Sequence, residues 1–258
     1  MKTIILIPLL VTILSNCSTT PSGRKQLKLI SSAQMIAMGD QSFTSLKKAQ
    51  KLSQNRTYLR RVSCITNRLL KAMGETPSNW SIEVFQNSEP NAFALPGNNM
   101  GVHTGMIELV NNNDQLAAVI GHEIGHVLAH HGNERVSQTI GMQLGLAATQ
   151  LYLGRGTQKD RMILGALGVG AQFGVLLPFS RTHESEADAL GIKFMAKAGF
   201  DPRQAAGLWK IMKEKSNART PEFFSTHPSP QTRIERLEAL SPKYRPLYEN
   251  NRSSIKCY

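Results

Sequence analysis

Asp114-Gln115-Leu116-Ala117-Ala118-Val119-Ile120-Gly121-His122-Glu123-Ile124-Gly125-His126-Val127-Leu128-Ala129-His130-His131 is apolar at 116, 119, 120, 124, 127 and 128. That spacing predicts a helix over 114–131, with Asp114 as its cap. On it stands the pattern H-E-x-x-H. His122 and His126 lie one turn apart on one face, so their imidazoles can hold a single Zn2+. Glu123 is beside them, where a carboxylate can take a proton from metal-activated water. The blander alternative is a helix with two surface histidines and a salt-bridging glutamate. His122, His126 and His130 share a face, but eight residues of helix rise about 12 Å while a Zn–N bond is about 2 Å. One ion therefore cannot reach both His122 and His130, and the third ligand must come from another segment.

The candidate is His183-Glu184-Ser185-Glu186-Ala187-Asp188, in a helix expected over 182–198. Glu184 and Asp188, four apart, face the same way. Glu186 points about 200° from Glu184 around the axis, so the two glutamates cannot both face one metal. If Glu184 binds the ion, Asp188 is positioned to hold a ligand imidazole through its other nitrogen. His183, one residue from Glu184, is the weaker candidate.

Around these motifs the chain alternates helices with a few short strands. Ser31 and Ser32 offer a cap for a helix over 33–49, and a second runs over 56–73, stopped by Gly74. Residues 80–85 alternate as a strand; 91–97 and 101–105 read as strand, turn and strand. Asp201-Pro202 and Ser229-Pro230 each announce a helix, over 202–215 and 230–240, and the residues from 242 on read as irregular. The glycine-punctuated segment 140–177 reads as a mobile helical flap, with a membrane hairpin or plain core helices as alternatives. Its apolar pieces fall short of the roughly 20 residues a span needs. The expected class is therefore α+β and predominantly helical, with a few short strands.

Lys2 followed by the apolar residues 4–14 resembles a signal sequence, too short for a comfortable membrane span. Leu14-Ser15-Asn16-Cys17 resembles a lipobox, in which Cys17 would be acylated and become the mature N-terminus; Asn16 stands where a small residue is usual. The expected division is a signal peptide over 1–16, a lipidated flexible tether over 17–30 and one metallopeptidase domain over 31–258. An uncleaved anchor and plain secretion are the alternatives. Ser18, not acidic, favours the outer membrane by resemblance to lipoprotein sorting. The remaining cysteines, Cys64 and Cys257, are either a disulfide or two free thiols. A net charge of +12 in 258 residues fits a solvated basic surface or attraction to anionic lipid or envelope polymer. With no basic run interleaved with aromatics, nucleic acid is not an expected partner.

Taken in order, Asn91-Ala92-Phe93-Ala94-Leu95-Pro96-Gly97, Gly101-Val102-His103-Thr104-Gly105, Ala118 to His126, Ser180-Arg181, Glu184 to Asp188 and Thr226-His227-Pro228 resemble the HtpX-like and CAAX-prenyl-protease-like gluzincins. Within that family they resemble the soluble periplasmic lipoprotein branch that includes BepA, LoiP and YcaL, and the fold this implies is a zincin-type metalloprotease domain with a small sheet beside the active-site helix. The resemblance implies a zinc endopeptidase with Glu184 as third ligand and Asp188 in support. It also implies an edge strand near 91–105 (Asn91, Ala92, Phe93 and Ala94) that takes substrate by backbone pairing. His227 would cap the zinc and hold the enzyme inactive; an oxyanion donor and a structural loop histidine are the alternatives. Expected partners are polypeptides, the membrane through the lipid, and the outer-membrane protein assembly machinery. An assembly factor with latent proteolysis and a zinc-stabilised binding module are the rival functions.

Overall fold

A computed structural model of the chain describes residues 17–153, 179–216, 223–227, 231–252 and 257. The leader over 1–16 and the part of the glycine-rich segment from 154 to 177 lie outside the described residues.

Among the described residues the architecture is helical with two small sheets. An N-terminal hairpin pairs β1 (Cys17–Thr19) with β2 (Lys25–Leu27). Helix α1 spans Ser32–Ala49, opened by a capping box between Ser31 and Gln34. Helix α2 spans Arg56–Met73; Asn55 caps its start, and Gly74 ends it in a left-handed conformation. Strands β3 (Ser81–Phe85), β4 (Ala92–Leu95) and β5 (Asn99–His103) form one sheet in the order β3-β5-β4, β3 parallel and β4 antiparallel to β5. Then come α3 (Thr104–Leu109), α4 (Asn113–Leu128), α5 (His131–Leu153), α6 (Arg181–Lys197), α7 (Arg203–Ser216), α8 (Phe223–Thr226) and α9 (Gln231–Asn251).

Helix α4 runs through the middle of the molecule, in contact with α2, α6, α7 and β4. Leu116, Val119, Ile120 and Ile124 join Ile65 and Leu69 of α2, Met100 and Val102 of β5, and Met212 of α7 in one continuous core. Truncating one such side chain to alanine costs about 2–5 kcal/mol in a close-packed interior. Helices α4 and α6 touch almost backbone to backbone. A Cβ on Gly125 would come within 3.1 Å of the Ala187 carbonyl oxygen, and one on Gly191 within 3.0 Å of the His122 nitrogen. These two glycines let the helix bearing Glu184 lie directly on the helix bearing His122 and His126.

The structure departs from the sequence reading in four places. The 114–131 helix breaks: α4 ends at Leu128, and His130 turns the chain at φ 54° before α5 starts. Its cap is Asn112, whose side chain accepts from the Gln115 N–H, while Asp114 accepts from the backbone of Asp201. The third strand stops at His103 because Thr104 starts the short α3, its hydroxyl bonded to the Asn87 carbonyl. Helix α9 continues through Pro242 and Pro246 to Asn251, since its buried face, through Leu237, Ser241 and the partly buried Tyr244, packs on the core. Residues 17–27 are not a flexible tether. They form the hairpin, and their Ser, Thr and Arg side chains, which read as linker composition, are the partners of buried acids. Of the glycine-rich segment, 140–153 continue α5.

Candidate metal centre

The break at His130 and the glycine contacts converge four buried side chains. Ligand atoms of His122, His126, Glu184 and His227 all lie within 4.8 Å of one another. His122 Nε2 is 3.0 Å from His126 Nε2, 3.3 Å from His227 Nδ1 and 3.3 Å from Glu184 Oε2. Glu184 Oε1 is 3.4 Å from His126 Nε2 and 3.0 Å from His227 Nδ1. Ligands at 2.0–2.1 Å from a tetrahedral zinc stand roughly 3.3–3.4 Å apart, so these five separations are close to the edges of such a site.

The protons agree. Asp188 Oδ1 lies 3.0 Å from His122 Nδ1, and His131 Nδ1 lies 2.9 Å from His126 Nδ1. With each Nδ1 facing outward, the Nε2 atoms of both rings face the cluster, where Arg233 Nη2 also lies 3.0 Å from His122 Nε2. Imidazole nitrogens converging with a buried carboxylate oxygen are the donor set of a divalent cation such as zinc.

Glu123 is buried on the same helix, its Oε1 3.4 Å from His227 Nε2 and outside any hydrogen bond. Burial raises its carboxyl above the ordinary value, against the pull of His227 and His122, which moves it toward the range of an effective base. Burial would raise Glu184 too, but the charge of His122 and hydrogen bonds with His122, His126 and His227 hold it far below the usual range. Glu184 stays ionised, as a metal ligand must.

Arg233, which the motif reading missed, closes the site from α9. Its Nε and Nη2 donate to the two oxygens of Asp188 at 2.6 and 2.7 Å, and its Nη1 lies 2.6 Å from Glu184 Oε2. Its guanidinium stacks 3.6 Å over the Trp209 ring. The available signal was a charge one residue before Ile234 and four before Leu237, on the buried stripe of a helix.

Glu186 faces away from the cluster, toward His131, whose Nε2 is 3.1 Å from Glu186 Oε2. His183 pairs with Glu134, Nε2 to Oε2 3.1 Å, rather than joining the site. Strand β4 is the edge of its sheet and lies along α4, with Asn91 just before it accepting from the His103 N–H. Cys64 and Cys257 are joined in a disulfide. Cys17 lies in β1, and no helix among the described residues is long and apolar enough to cross a membrane.

The chain is similar to known proteins. The chain is 35% identical over 201 residues to the mitochondrial metalloendopeptidase OMA1 of Schizosaccharomyces pombe, covering 76% of this chain and 56% of that protein. It is 26% identical over 225 residues to the beta-barrel assembly-enhancing protease of Escherichia coli, covering 84% and 46%. The chain thus spans about half the length of these curated relatives. The profile of peptidase family M48 matches residues 57–241, which include all four converging side chains, and the chain belongs to that family.

Proposed function

We propose that the chain is a zinc-dependent metalloendopeptidase holding one Zn2+ through His122, His126 and Glu184, with Glu123 as general base. The observation that carries this is the convergence of four buried donor atoms at tetrahedral spacing beside a buried carboxylate. The endopeptidase names of the relatives support the reaction class. When bound, zinc would supply Lewis acidity toward water and the scissile carbonyl. Glu123 takes the proton of the attacking water and returns it to the leaving amine. Asp188 keeps the His122 ring turned with Nε2 inward, and Arg233 holds Asp188. Substrate would pair its backbone with edge strand β4, near Asn91, Ala92, Phe93 and Ala94.

A second feature bears on regulation. His227 Nδ1 stands at the fourth corner of the donor set, the position a hydrolytic water would need, and favours a latent conformation in which His227 caps the metal. The leader over 4–14 and Cys17 support a lipid-anchored protein of a bacterial envelope, facing the periplasm from the outer membrane. Its substrates would be misfolded or stalled envelope proteins. The name of the Escherichia coli relative supports work beside outer-membrane protein assembly, and with it the rival reading of an assembly factor with latent protease activity.

Casein degradation by wild type, Glu123→Gln and His227→Ala tests these readings. Glu123→Gln should keep zinc and lose cleavage by roughly 100-fold or more; cleavage surviving in it refutes the base. Activity released only in His227→Ala marks a capped enzyme, and equal activity in wild type refutes the cap.

A further inference from the structure

Residues outside the metal cluster form a second network, buried at its histidines and reaching the surface on the N-terminal hairpin. His126 Nδ1 lies 2.9 Å from His131 Nδ1, and His131 Nε2 lies 3.1 Å from Glu186 Oε2. Glu186 Oε2 also accepts from Arg24 Nε at 2.8 Å, while its Oε1 accepts from the hydroxyls of Thr20 and Ser22. Arg24 turns its other two nitrogens onto Glu134, Nη1 to Oε1 at 2.8 Å and Nη2 to Oε2 at 2.6 Å. Glu134 holds His183, whose ring stacks on His131 at 4.5 Å between centroids.

Every donor in this chain has one direction. Because Glu186 is acceptor-only, His131 donates from Nε2, and in its neutral form it accepts at Nδ1. Because His131 accepts at Nδ1, His126 must carry its proton on Nδ1 and leave Nε2 free. The arrangement requires neutral His131 with its proton on Nε2, facing Glu186. The tautomer of His126 is therefore set by residues more than 100 positions earlier in the chain.

We propose that the hairpin over 17–27 is part of the metal-binding machinery: Thr20, Ser22 and Arg24 are positioning residues that fix Glu186, and through Glu186 and His131 they fix His126 for the ion. The proposal rests on the zinc-peptidase reading of the cluster and adds its control from the N-terminal segment. Any event that pulls the hairpin off α5 and α6 releases the support of one ligand. The network is not a second metal site: among the described residues only the His122 cluster brings three or more such ligands together.

The test uses the purified full chain and zinc itself, with a chromophoric chelator in competition, and the visible spectrum of the cobalt-substituted protein. Loss of an outer partner of a ligating histidine weakens metal binding by roughly 10–100-fold. Arg24→Ala should weaken zinc by about that factor and change the cobalt spectrum, and Arg24→Lys should restore part of the affinity. Arg24→Ala leaves Glu134 and Glu186 without their cation and can fail to fold. The near-isosteric double variant Thr20→Val with Ser22→Ala, which removes no charge, then decides alone, with a smaller loss in the same direction. Weakened zinc in either folded variant supports the proposal; wild-type affinity and an unaltered cobalt spectrum in the folded variants overturn it. If wild type itself binds no zinc, it is the metallopeptidase reading that fails. If wild type binds zinc without cleaving peptides, the positioning role still stands or falls on the affinities.

Discussion

Replacing Arg233 by methionine perturbs the most charged contact in the core and separates a structural role from a metal-linked one. The guanidinium lies within 2.6–2.7 Å of oxygens on both Asp188 and Glu184, and all three residues are buried. Methionine keeps much of the length and the apolar cover over Trp209 but leaves two carboxylates facing each other. Removing one partner of a buried ion pair costs about 3–5 kcal/mol, because the remaining charge stays desolvated. For a chain of this size that is about 2–4 °C per kcal/mol, or roughly 6–20 °C in unfolding midpoint. The loss should depend on metal. In chelator the variant keeps only the neighbouring histidines beside Glu184; saturating zinc adds a divalent cation there, and the deficit should shrink toward the share of Asp188. Thermal unfolding by circular dichroism, with and without zinc, reads both. An unchanged midpoint in chelator would refute the ion-pair account, and a deficit identical in zinc and chelator would refute the placing of the cation against Glu184.

Two other outcomes follow from the geometry. The Cys64–Cys257 bridge closes a loop of 193 residues, for which chain entropy gives an upper figure of about 5 kcal/mol. Cys64→Ser, or dithiothreitol acting on wild type, should lower stability by about 2–5 kcal/mol in urea titration, and dithiothreitol should do nothing further to the variant. At Glu134, burial raises the carboxyl, but the hydrogen bonds and charges of Arg24 and His183 together outweigh it, so the folded pKa lies below the ordinary value. The stability it contributes is present above the unfolded value of about 4.3 and is lost as pH falls through the lower folded value. In metal-free protein, Glu134→Gln should therefore flatten the loss of urea stability below about pH 4.3, and an acid slope as steep as wild type would contradict the pairing.

What could be read from the sequence was what has local period. The H-E-x-x-H spacing, the i, i+4 pair Glu184 and Asp188, the caps at Ser31 and Gly74 and the alternation at 81–85 are short-range patterns, and the fold contains each. The family motifs pointed to His227, and the four marked residues do converge. The rest depends on long-range pairing. Arg24 meets Glu186 across 162 residues and Arg233 meets Asp188 across 45, and no periodicity records such meetings. The hairpin read as linker because Thr20, Ser22, Gly23 and Arg24 are linker residues by composition. Only the buried acids on α5 and α6 turn their polar groups into anchors. The break at His130 was hidden because its neighbours continue the helical pattern, and the turn is fixed by where His131 has to go.

The central claim is that His122, His126 and Glu184 hold one catalytic metal ion. Metal analysis of the purified chain by plasma emission, beside a zinc-edge anomalous map from its crystals, tests it directly. The account predicts about one zinc per chain, with the anomalous peak among these three side chains, and its loss in Glu184→Ala. A zinc-saturated chain that carries no ion, or holds it away from Glu184, would contradict the account.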